Sequence, residues 1–137
     1  MKRMVIIIAV LLATGACRKN QPASGESEGA QTGSAGAPLS AKPDMVEGKK
    51  LFEQRCVTCH GAGGKGDGPG AVALNPKPRN YTDKKWQASV SDAQLAQTIV
   101  QGGAAVGKSP LMPPNPDLKD KPSIVAGLVA IVRSFGK

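Results

Sequence analysis

Apolar positions cluster in four places along the chain, and the stretches between them are rich in Gly, Pro, Ser and Lys. The first cluster, Val5 to Ala13, is continuous. Lys2 and Arg3 precede it and Thr14, Gly15 and Ala16 follow it, the order of a secretory signal peptide over residues 1–16. A membrane-spanning helix needs about 20 apolar residues, so this shorter run is expected to be removed rather than kept as an anchor. From Arg18 to Lys42 nothing apolar is larger than Ala except Leu39. Such a segment buries too little to offset its ordering entropy, and 17–42 is read as a flexible linker. Coil scaling gives it a root-mean-square reach of roughly 25 to 30 Å.

The other three clusters have helical spacing. In Met45 to Arg55, Met45, Leu51 and Phe52 fall on one side with Lys49, Lys50 and Glu53 outward, and Asp44 is placed as an N-cap. Ser91 and Gln94 have capping-box spacing, Leu95, Ile99 and Val100 follow, and Gly102 is placed to stop the helix, predicting about Asp92 to Gln101. The last helix is expected to start near Pro122 and run through Ile124, Val125, Leu128, Ile131, Val132 and Phe135, with Arg133 near its negative end. No strand pattern is evident. An all-α domain over 43–137 is expected.

Composition shows what this domain lacks. Its aromatics are Phe52, Tyr81, Trp86 and Phe135, few for the interior of even a small domain, and three short helices joined by Gly- and Pro-rich loops enclose little. Another group is expected to fill the centre. At 137 residues there is no room for a second sizeable core, which excludes a multidomain enzyme. The formal charge is +8. From Pro43 onward 10 Lys and 3 Arg face 8 acidic residues. Lys49, Lys50, Lys65, Lys84, Lys85 and Lys108 form either a solvated surface or a field that steers redox partners with acidic docking surfaces. No basic motif interleaved with aromatics points to nucleic acid, and the chain is read as a monomer.

The chemistry sits in Cys56-Val57-Thr58-Cys59-His60. Cysteines three apart on a helical turn share a side, and the next residue brings an imidazole to the same space. This is the spacing for covalent attachment of one c-type haem, with two thioethers and His60 on the iron. A structural zinc site lacks a second ligand pair, a thioredoxin-like pair lacks its βαβ context, and a disulfide across three helical residues is geometrically awkward. His60 is the only histidine, so a second histidine ligand within the chain is impossible. Met1 and Met4 fall in the signal segment, leaving Met45, read as a packing residue, and Met112 in a proline-stiffened loop. The alternatives at Met112 are loop packing beside an open iron, or Lys108 in its place. Gly61 to Gly66 satisfies G-x-G-x-x-G, but no strand precedes it and no helix opens after it, so it is read as a tight loop at the haem edge.

From about Asp44 to Lys137 the chain resembles class I cytochromes c, whose fold is a set of three or more short helices around one covalently bound haem. In that family a Gly and an aromatic four residues apart lead into CxxCH; Gly48 and Phe52 stand there, and Gly48 is expected to admit the C-terminal helix. Ile131 occupies a position often held by an aromatic. The resemblance implies Met112 as the second axial ligand and the Pro69 carbonyl as acceptor from the other nitrogen of His60, with a plain turn residue as the alternative at Pro69. It also places Arg79, Asn80, Tyr81 and Trp86 near the haem propionates, against the alternatives of a solvated Arg79 and a core Trp86. Separately, Leu11 to Cys17 resembles the lipobox of bacterial lipoproteins, with Thr14 where that motif prefers Leu. This implies a lipid anchor on Cys17; the alternative is a free thiol.

Together these readings give an exported electron-transfer protein on the periplasmic side of a bacterial membrane, held by a lipid anchor and passing single electrons between redox partners. Two other uses of the same haem are compatible with the sequence: a fixed subunit of a respiratory complex, and an enzyme with an open iron.

Overall fold

Asp44 opens the first helix as expected, its Oδ1 accepting the Glu47 N–H at 3.0 Å. Helix α1 (Met45–Leu51) does not end near Arg55. The computed structural model, which describes residues 40–137, carries the chain through a wide turn over Phe52–Cys56 and directly into α2 (Val57–His60). In that turn the Val57 N–H reaches back five residues to the Phe52 carbonyl. The extra residue shifts the helical phase, and so the apolar pattern of α1 does not run on into the CxxCH segment. The signal segment 1–16, Cys17 and nearly all of the expected linker lie outside the described residues.

Helix α3 (Lys84–Ser89) was not anticipated. Its six residues hold a single large apolar side chain, too little to register a period. It starts because the Asp83 carboxylate accepts the Lys85 and Trp86 N–H groups. Helix α4 (Asp92–Ala105) has both halves of its capping box, Gln94 N–H to Ser91 Oγ at 3.2 Å and Ser91 N–H to Gln94 Oε1 at 2.9 Å. Regular helix stops where the pattern placed the stop, at Gly102 (φ 78°, ψ 172°), and one further turn follows the kink. Helix α5 (Pro122–Ser134) matches its expected span. Single 3₁₀ turns occupy Pro69–Ala71 and Pro116–Leu118, and no strand occurs among the described residues.

Helices α1 and α5 cross with backbones almost touching. A Cβ on Gly48 would stand 3.0 Å from the Gly127 carbonyl carbon, and one on Gly127 would collide with the Asp44 carbonyl oxygen. Gly48 was expected to receive the C-terminal helix; its counterpart Gly127 was not foreseen. Beside the crossing, Leu51, Phe52, Leu95, Leu118, Val125, Leu128, Val129 and Val132 form the buried cluster. Ile131 packs against this cluster, while the aromatic contact is made one turn later, with the rings of Phe52 and Phe135 5.6 Å apart. Met45 is half-exposed rather than packed, although Asp44 just before it lies against α5. Arg133 does more than sit at a helix end. Its guanidinium binds Asp92 and the Gln87 and Val90 carbonyls, fastening α5 to the α3–α4 junction.

Candidate functional site

Beside the α1–α5 crossing the described residues leave an apolar cleft of about 620 Å³. Sites for small molecules and cofactors commonly occupy about 300 to 1,000 Å³. Cys56, Cys59 and His60 line it, with Leu95, Thr98 and Ile99 from α4, Pro76 to Tyr81 from one loop, and Lys108, Ser109 and Leu111 to Pro113 from another. Of the nine residues expected at the site, seven line this cleft: Cys56, Cys59, His60, Arg79, Asn80, Tyr81 and Met112. Pro69 and Trp86 do not.

The wide turn before α2 sets the direction of the cysteine pair. Both thiols are free and partly buried. Burial pushes the Cys56 thiol up to about 11, with neighbouring Arg55 opposing the rise and Cys59 adding to it. Cys56 therefore rests as the thiol, the form that disfavours a thiolate-driven redox role.

His60 is 9% exposed, and its surroundings select one protonation state. Burial lowers its pKa below the ordinary imidazole value, with a hydrogen bond to the Arg79 carbonyl opposing. Nδ1 lies 3.4 Å from that carbonyl and Nε2 lies 3.0 Å from the Tyr81 hydroxyl. A carbonyl can only accept, so the network assigns the proton to Nδ1 and leaves Nε2 to accept from Tyr81. The ring is thus neutral, with Nε2 held by the Tyr81 hydroxyl in the wall of the cleft, and neutral imidazole is the form that binds a metal.

The carbonyl that meets Nδ1 belongs to Arg79, not to Pro69 as the family resemblance implied. The Tyr81 N–H donates to the Gly64 carbonyl and the Gly66 N–H to the His60 carbonyl, so the glycine loop draws the 78–81 segment along the imidazole. Pro69 instead begins its 3₁₀ turn next to the chain end of α2, where the Gly68 N–H reaches the Cys59 carbonyl at 3.2 Å.

The polar residues of the 79–86 segment have separate settings. Tyr81 is buried and stacks on His60 with ring centroids 4.5 Å apart, and burial raises its phenol pKa. Trp86 packs on the outer side of Tyr81 at 5.5 Å, the core alternative for that residue. Arg79 is half-exposed, lies over the Trp86 ring at 5.5 Å and is 3.7 Å from Asp83. Asn80 Oδ1 accepts from the Thr82 N–H and hydroxyl, which leaves its amide nitrogen as the donor available to the cleft.

Met112 reaches the cleft because α4 breaks. In an unbroken helix the Gly103 N–H would bond to the Ile99 carbonyl. The Gly102 kink turns it instead to the Met112 carbonyl at 2.9 Å. The freed Ile99 carbonyl accepts from Asn115 Nδ2 at 2.8 Å and the Val100 carbonyl from the Asn115 N–H at 2.9 Å. A Cβ at Gly103 would strike the Ser109 carbonyl, so the loop closes only over a glycine. The helix's own unused hydrogen bonds thereby fix the Met112 loop. Arg55 and Asn115 also line the cleft and were not foreseen. They lie 60 residues apart, and no local spacing signals such a pair.

Two thiols, one neutral imidazole and one thioether around an apolar cleft make a donor set that fits haem c. The cytochrome c family model matches residues 45–126. The subunit FixP of the cbb3-type cytochrome c oxidase from Bradyrhizobium diazoefficiens is 35% identical over 102 residues, covering 74% of this chain and 31% of FixP. FixP from Bradyrhizobium sp. strain ORS 278 is 36% identical over 74 residues, 53% of this chain and 23% of that protein. The chain thus spans less than a third of the length of these relatives. Among solved structures, the KustC0563 c-type cytochrome is similar at 36% identity and a TM-score of 0.50, over 66% of this chain and 98% of that one.

Proposed function

The chain belongs to the cytochrome c family, and on that premise we propose that it is an exported, lipid-tethered carrier of single electrons that holds one haem c between His60 and Met112. Bound haem supplies one iron that cycles between the ferrous and ferric states. Cys56 and Cys59 hold it through thioethers. His60 offers Nε2, for which the Tyr81 hydroxyl must release its present bond, and the Arg79 carbonyl keeps the imidazole oriented through Nδ1. Met112, a soft ligand, favours the reduced iron and raises the potential above that of a bis-histidine site. Arg79, the Asn80 amide and the released Tyr81 hydroxyl are the donors available to the propionates. With His60 and Met112 both committed to the iron, the bound haem would offer no open position to a substrate, which favours an electron-transfer protein over an enzyme. Exposed lysines favour acidic partners, with association slowing as salt rises.

The observation that carries this reading is one cleft lined by Cys56, Cys59, His60 and Met112. The oxidised holoprotein should give a low-spin spectrum with the weak far-red sulfur-to-iron band. Met112→Ala should abolish that band; its survival would remove Met112 from the iron. For the tether, Cys17→Ser should move the protein from the membrane to the soluble periplasmic fraction, and unchanged retention would refute the anchor.

The similarity to FixP supports a second reading, a haem subunit fixed in a respiratory oxidase. Co-purification in stoichiometric amounts with membrane subunits would select it over a mobile carrier.

A further inference from the structure

Arg55 directly precedes the first cysteine of the CxxCH segment, yet its guanidinium is bound to the chain that follows Met112. Nη1 lies 2.9 Å from Asp117 Oδ1 and 3.2 Å from Asn115 Oδ1, and Nη2 lies 3.0 Å from Asp117 Oδ2. Asn115 is the residue whose amide and backbone N–H take the carbonyls freed by the Gly102 kink. One guanidinium therefore joins the helix that carries the cysteines to the loop that carries the methionine.

We propose that Arg55 and Asp117 act as a clamp that positions the Met112 loop and so controls how readily the thioether gives up the iron to a competing ligand. The inference rests on the reading of Met112 as an axial ligand. The Gly103 and Asn115 bonds fasten the loop to α4 alone. Displacing the methionine needs the loop to move away from the cysteine helix, and the Arg55 fork is a direct tie across that gap. Its planar, bidentate geometry resists sideways shear in a way that a point charge does not. Arg55 is a positioning residue, acting through Asn115 and Asp117 rather than on the haem.

The test uses purified holoprotein titrated with imidazole at neutral pH, followed in the Soret and far-red regions, with unfolding measured in parallel. Asp117→Asn keeps size and shape at a half-exposed site, so it is expected to fold. It should raise the apparent imidazole affinity about three- to tenfold, more than the unfolding midpoint moves, since exposed ion pairs contribute little to global stability. Arg55→Lys should fall between parent and Asp117→Asn, and Arg55→Gln/Asp117→Asn together should do no more than either alone, the mark of one shared interaction. Unchanged imidazole affinity in the single variants, with a raised affinity and a lost far-red band in Met112→Ala, would overturn the clamp and leave the ligand assignment standing. A rise in affinity no greater than the loss of global stability would reduce the pair to an ordinary structural contact and also overturn it. Retention of the far-red band in Met112→Ala, with parental imidazole affinity, would remove both the ligand assignment and the clamp built on it.

Discussion

The two sides of the domain are held together by opposite means. Where α1 and α5 cross, backbone lies on backbone through Gly48 and Gly127, and no side chain separates them. On the cleft side, the 108–115 loop is held by separate hydrogen bonds to Gly103, Ile99 and Val100 of α4, and the Arg55 fork ties Asn115 and Asp117 to the cysteine helix. The crossing leaves no room and has no freedom. The cleft leaves space for a large flat group, and its wall can yield one bond at a time. A carrier whose iron must keep its ligands through each cycle needs a rigid frame, while insertion of the haem needs a wall that opens.

The largest effect should come from breaking the frame. Alanine is favoured over glycine inside a helix by about 1 kcal/mol, so a glycine there persists only where a methyl group costs more. At Gly127 the added Cβ meets the Asp44 carbonyl, which belongs to the cap of α1 and cannot move without uncoupling the two helices. Gly127→Ala is expected to destabilise the domain by about 2 to 3 kcal/mol, read from urea unfolding. Gly48→Ala has a gentler contact of 3.0 Å and should cost about 1 kcal/mol or less after the propensity gain. Equal effects at the two positions would mean that the crossing is looser than the backbone contact implies.

The frame was also the part most open to reading from sequence. Periodicity and capping residues are local, and they located α1, α4, α5, the Asp44 and Ser91 caps and the Gly102 break. Reading stopped short where the local signal changed phase, at the wide turn of Phe52–Cys56, or was too brief to have a period, as in α3. The haem cysteines and His60 were visible because their chemistry demands a fixed spacing. Which carbonyl meets His60 Nδ1 depends on pairing between the glycine loop and residues 78–81, a tertiary event with no local signal. Arg55 with Asp117 was invisible for the same reason.

An intermediate effect should come from the cap of α4, the helix that contributes to both sides. Ser91→Ala removes the side-chain acceptor for the Gln94 N–H and should cost about 1 kcal/mol, a fall in Tm of about 4 to 8 °C for a domain of this size. The far-red band should be unchanged, because the kink that presents Met112 lies at the other end of the helix. A band that weakened in step with Tm would show that the frame and the cleft wall are coupled through α4 rather than independently held.

The smallest effect is expected from protonating the clamp. The hydrogen bond from Arg55 holds the Asp117 carboxyl below its ordinary value of 3.8. A carboxylate held low in the folded state binds fewer protons than it does unfolded, so its contribution is complete above the ordinary value and is lost as pH falls through the lowered one. Parent and Asp117→Asn should therefore differ in Tm by about 1 to 3 °C at pH 6, and the two curves should converge as pH drops below about 4. Comparing the pair cancels the other carboxylates that titrate in the same range, since distant sites add independently. A difference that persisted at low pH would mean that Asp117 acts through shape rather than charge. The tie across the cleft would then resemble the glycine crossing more than an ionic latch.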